Sequence, residues 1–114
     1  IEKQKINLKK TLLEIKGVFN INKDAVEMCE EYNKNVPDGI IYSIVLRLRE
    51  LYLIKRFFSK EIYSKKEFLK LTGEKVYSAY IRIKRNEKEL DNTSPNELKK
   101  VLDLSEKWLK ELKG

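Results

Sequence analysis

Apolar residues recur at three- and four-residue steps along almost the whole chain, the spacing that turns one face of an α-helix toward a core. Ile6, Leu8, Leu12, Leu13 and Ile15 give a first amphipathic segment, with Gly17 as its expected stop. Asn22 is placed to cap a second helix, whose inner face would carry Ala25, Val26, Cys29 and Tyr32. Pro37-Asp38-Gly39 is turn chemistry, and beyond it a third helix is predicted over about residues 40–60. Apolar positions surround most of that helix, as expected of a central element that touches several others.

Ser64, with Glu67 three residues later, has the pattern of a capping box for a short fourth helix that ends at Gly73. A fifth helix, over about residues 74–87, would turn Val76, Tyr77, Tyr80, Ile81 and Ile83 inward. Ser94-Pro95 followed by Glu97 marks the start of the last helix, since proline suits the first turn and an acid complements the dipole there. Its core positions are Leu98, Val101, Leu102, Leu104, Ser105, Trp108, Leu109 and Leu112. The expectation is an all-α fold, a single compact domain of five or six helices around the one at about 40–60. Leu48, Leu51, Phe68, Tyr80, Leu102 and Trp108 should share its core.

Composition agrees with that picture. A length of 114 residues suits one domain, and four Gly with two Pro argue against an all-β fold rich in tight turns. The first apolar residues are interrupted by lysines, unlike a secretory signal, and the longest largely apolar stretch stops at Arg47, far short of a membrane span of roughly 20 residues. The single Cys29 cannot form an internal disulfide and reads as a small core residue. A cytoplasmic protein without a membrane partner is expected. The wealth of Lys, Glu and Ile resembles thermophile composition. The chain opens on Ile1 rather than Met, so a segment or domain before Ile1 is expected.

Charge changes the picture most. Residues 1–39 carry seven lysines and seven acids, and residues 91–114 carry five of each. The whole net charge of +7 therefore falls in residues 40–90, which hold thirteen Lys and Arg against six acids and contain all five arginines. A solvated basic face accounts for such a block in a lysine-rich protein. The confinement of arginine to it, with tyrosines interleaved, points instead to a grip on phosphate and bases. The candidates for phosphate or nucleic-acid contact are Arg47, Arg49, Arg56, Lys60, Arg82, Lys84 and Arg85, with Tyr63 and Tyr77 as stacking residues. On the central helix Arg49, Arg56 and Lys60 share a side, whereas Arg47 is placed to pair with Glu50. Tyr52, Tyr77 and Tyr80 read first as core tyrosines whose hydroxyls need partners.

Several chemistries are missing. The chain has no His, so Ser–His and Cys–His dyads and histidine metal sites are excluded. Its glycines are isolated, which excludes a glycine-rich phosphate loop, and Glu30-Glu31 diverge on a helix rather than converge. No catalytic residue, metal site or cofactor is expected.

Two partial resemblances follow. Residues 64–85, SKKEFLKLTGEKVYSAYIRIKR, look like a helix–turn–helix with Gly73 at the turn and Tyr77, Ser78, Arg82 and Arg85 as outward readers, which implies DNA binding in the major groove. Leu46-Arg47-Leu48-Arg49, Leu51-Tyr52-Leu53, Tyr63-Ser64-Lys65-Lys66, Phe68, Tyr77 and Tyr80, within residues 44–102, resemble the helical C-terminal half of archaeal predicted nucleotidyltransferases. That resemblance implies an accessory domain that holds nucleotide or RNA beside a separate catalytic domain. The family's Gly-Ser turn and paired aspartates are not in this chain, so catalysis would lie elsewhere. Such a domain should open Arg49 and Arg82 onto one cleft. The remaining reading is a protein-interaction or structural module.

Overall fold

The first apolar face does not break at Gly17. In the computed structural model, which describes residues 2–113 with side chains from Asn7 onward, one helix runs 30 residues as α1 (Glu2–Glu31). The expected contribution of the Ile6 side chain lies outside the described residues. Ile15, Phe19, Asn22 and Val26 are all buried at helical spacing, so one continuous face crosses the expected boundary. A glycine inside a helix costs about 1 kcal/mol relative to alanine. Burying one large apolar side chain returns about 1.5–3 kcal/mol, so packing overrides the local stop. Asn22 caps nothing; its Nδ2 donates to Ser43 Oγ on the next helix at 3.0 Å. Leu13 and Tyr32, expected on inner faces, are exposed.

Helix α2 (Asp38–Phe58) is the central element and contacts all four other helices. Ile41, Ile44, Val45, Leu48, Leu51 and Tyr52 are buried along it. Helix α3 (Lys65–Thr72) is capped by Ser64, whose Oγ accepts from the Glu67 backbone N–H at 3.2 Å. The Glu67 carboxylate turns to Tyr52 and Arg56 instead of back to Ser64, so only half of the expected box forms. Gly73 alone separates α3 from α4 (Glu74–Lys84) and holds φ at +82°, a left-handed backbone that disfavours any side chain. A 3₁₀ turn (Pro95–Leu98) with a complete Ser94–Glu97 capping box leads into α5 (Lys99–Lys113).

The six residues expected to share a core all do so, and the fold is all-α. Among the described residues there is no strand, only an isolated antiparallel bridge in which Val36 N–H donates to Thr93 O at 2.8 Å. Three helices stop without glycine. Asn33, Lys60 and Asn86 take φ near +55° (54°, 57° and 56°), and the next N–H reaches back to a carbonyl of the last turn: Lys34 to Cys29, Glu61 to Arg56, Glu87 to Arg82. Lys60 therefore ends α2 rather than continuing its face.

Candidate anion-binding cleft

Helices α2 and α4 form the largest contact in the molecule, and the arginines near their seam meet different fates. At the end where α2 begins and α4 finishes, Asp38 is wholly buried and receives a two-pronged grip from Arg82. Nε donates to Oδ2 at 2.7 Å and Nη2 to Oδ1 at 3.0 Å. The Leu90 N–H donates to the same carboxylate at 3.0 Å, and the Asp38 N–H donates to Asp91 Oδ1 at 2.8 Å. The Arg82 bond holds the Asp38 carboxyl below its ordinary value, with burial opposing and the backbone N–H groups of Leu90 and Asp91 helping. Reciprocally, the bond to Asp38 holds Arg82 above its own. Three segments of chain are tied here, and the charges of Asp38 and Arg82 cancel each other.

An open cleft of about 430 Å³ lies between α2, α4 and the segment that leads into α3. Its walls present Arg49 from α2, Lys65 from the start of α3, and Lys84 with Arg85 from the end of α4. Tyr63, Tyr77, Tyr80 and Ile81 complete the lining. No carboxylate lines it. Among the described residues none of these four cations forms an ion pair. The Arg49 guanidinium lies 5.2 Å from the centre of the Tyr63 ring, and the Lys84 ammonium 5.8 Å from that of Tyr80. Tyr80 is stacked on Tyr42 at 5.2 Å and tilted against Tyr77 at 5.6 Å. Burial raises the Tyr80 hydroxyl pKa above its ordinary value, and the nearby Arg49 charge partly offsets this.

The structure thus sorts the seven basic residues singled out in the sequence. Arg49, Lys84 and Arg85 come together. Arg47 pairs with Glu50, as its spacing suggested. Arg56 is held by Glu61 and Glu67, donates to the Tyr52 hydroxyl at 2.9 Å and lies over the Tyr52 ring. Lys60 stands outside the helix in a left-handed turn, so it does not continue the α2 face that helical spacing assigns to it with Arg49 and Arg56. Arg82 is a correction: it closes on Asp38 and does not line the cleft with Arg49. A surface drawn from α2 by periodicity alone fails here, because Glu61 and Glu67 lie beyond its end and fold back onto Arg56.

Of the aromatic candidates, Tyr63 and Tyr77 both line the cleft. Tyr63 also packs its edge on Tyr52, and Tyr77 packs edge-on against Phe68, so each ring is anchored in the core on one side. Lys65 was missed as a cleft residue, although it follows Tyr63-Ser64 directly and the Ser64 cap fixes where the third helix begins. Comparison of the chain with protein-family models, curated proteins and solved structures finds no match.

Proposed function

We propose that the chain is a basic helical domain that binds single-stranded nucleic acid, or the nucleotide unit of one, in the α2–α4 cleft. One observation carries the reading: four cations that their own chain leaves unneutralised converge around a tyrosine-lined concavity with no acid in it. Guanidinium groups suit phosphate through planar, two-point hydrogen bonds, and tyrosine faces suit bases without regard to sequence. The volume of about 430 Å³ falls within the range of small-ligand sites, roughly 300–1,000 Å³. Its lining offers no carboxylate or thiol for chemistry, so the role assigned is binding.

The helix–turn–helix alternative draws less support. One of its readers is occupied, Arg82 on Asp38. Early in α4, Lys75 is paired with Glu97. The accessory-domain reading is a narrower form of the proposal, with catalysis supplied by a separate domain. The closure of Arg82 counts against it; the places of Lys84 and Arg85 beside Arg49 count for it.

The test is fluorescence anisotropy with labelled single-stranded RNA and DNA and with duplex DNA, from 50 to 200 mM salt. Single strands should bind tighter than the duplex, with little sequence preference and a log–log salt slope of about −0.7 per contact. Arg49→Gln with Arg85→Gln should weaken binding and flatten that slope by about 1.4. Arg47→Gln should leave the slope unchanged. No single-strand binding at the lowest salt would refute the reading and leave the interaction module as the better account.

A further inference from the structure

A second concavity lies away from the cleft, where the first half of α1 runs beside the end of α5. It holds about 690 Å³. Leu8, Leu12, Leu13 and Phe19 from α1 and Leu109 and Leu112 from α5 form its apolar lining, and Leu13 leaves 58% of its surface exposed there. Lys9 and Lys16 stand on the α1 wall, Lys110 and Lys113 on the α5 wall. The one acid on the lining, Glu106, is paired with Lys23 at 3.7 Å.

We propose that this groove is the docking seat for an acidic amphipathic helix of a partner protein. Its dimensions argue for a helix. The apolar row from Leu8 to Phe19 spans eleven residue steps, about 16 Å or three turns at 1.5 Å per residue, and a groove between two neighbouring helices is a usual cradle for a third. The charge pattern argues for acid on both flanks of that helix. Lys9 and Lys16 are about 10 Å apart along one wall, and Lys110 and Lys113 stand closer together, about 4.5 Å apart along the other. A fatty acid carries its charge at one end and would need cations gathered there rather than along two walls. A second copy docking by the same groove would set lysine against lysine.

The test uses the 114-residue chain and two labelled fourteen-residue helical peptides that share one leucine face. One peptide has Glu along both flanks, the other Lys. Anisotropy should show the acidic peptide binding at least ten-fold tighter than the basic one. Leu13→Asp should weaken it a further ten-fold, with circular dichroism confirming an unchanged helix content. Because Lys16 and Lys110 are exposed, Lys16→Glu with Lys110→Glu gives a second, fold-neutral probe: it should weaken the acidic peptide several-fold and strengthen the basic one. The proposal is overturned if the acidic peptide does not bind, if both peptides bind alike, or if charge reversal leaves the preference intact. Tighter binding of oleate than of the acidic peptide would overturn it in favour of a lipid site. A dimer in sedimentation that Leu13→Asp dissociates would overturn it in favour of self-association.

Discussion

Arg82 and Arg85 are three residues apart at the end of one helix, yet one is shut in by a carboxylate and the other stands over an open cleft without one. Sequence position and charge do not separate them; burial does. Arg82 keeps only 14% of its side-chain surface exposed, and an ion so enclosed must be paired or it unfolds its surroundings. Arg85 and Arg49 keep access to water, so the fold tolerates them unpaired. A basic block is therefore a poor guide to a site until the charges neutralised by the chain itself have been removed from it. Here that removes Arg47, Arg56 and Arg82 and leaves Arg49 and Arg85.

The largest effect that would break this contrast is at the buried end. Arg82→Ala should cost about 3–5 kcal/mol in denaturant unfolding, since the buried Asp38 would be left without a counter-charge. That matches a core truncation such as Leu51→Ala, at about 2–5 kcal/mol. A loss under about 0.5 kcal/mol would place Arg82 among the free cations. Next comes pH. The folded Asp38 is depressed below its ordinary value of 3.8, so its contribution is whole above that value and is lost as pH falls through the lower folded value. Between the two values the unfolded chain takes up a proton that the folded one refuses. Acid titration of stability should therefore steepen below about pH 4, and Asp38→Asn should reduce that steepening.

Arg56→Gln sits in between. Its partners Glu61 and Glu67 are more than half exposed, and pairs of that kind contribute about 0–1 kcal/mol. Smallest of all, Arg49→Gln and Arg85→Gln should each leave stability within about 0.5 kcal/mol of the parent. If either destabilised the fold as Arg82→Ala does, the cleft would be a structural charge network and not a site.

Much of the architecture could be read from local pattern because local physics determines it. The α3 cap at Ser64, the Gly73 link, the Ser94–Glu97 box and the core positions from Leu48 to Trp108 each depend on residues a few positions apart, or on a period. The failures have one cause, which is that the deciding partner is distant in sequence. Gly17 reads as a stop only until Ile15, Phe19 and Val26 are seen to pack as one face. Asn22 reads as a cap until Ser43 offers it a bond. Asp38 reads as a turn residue, and nothing near it signals an arginine 44 positions away. The cleft was legible in part for the same reason. Lys84 and Arg85 follow from the end of a helix, whereas excluding Arg56 requires knowing that Glu61 and Glu67 return to it.

The clasp at Asp38 also bears on the cleft through thermodynamic linkage. Asp38 and Arg82 fasten α2 to α4 at one place along their seam, and a phosphate bridging Arg49 and Arg85 would fasten the same two helices at another. A ligand that requires both helices seated stabilises that seating, by about 2.7 kcal/mol at a hundred-fold excess over Kd. Coupling of this kind is reciprocal. Loosening the clasp, by acid or by Asp38→Asn, would therefore lower affinity in a cleft that Asp38 never touches, and by the same factor the bound strand would raise the resistance of the clasp to acid.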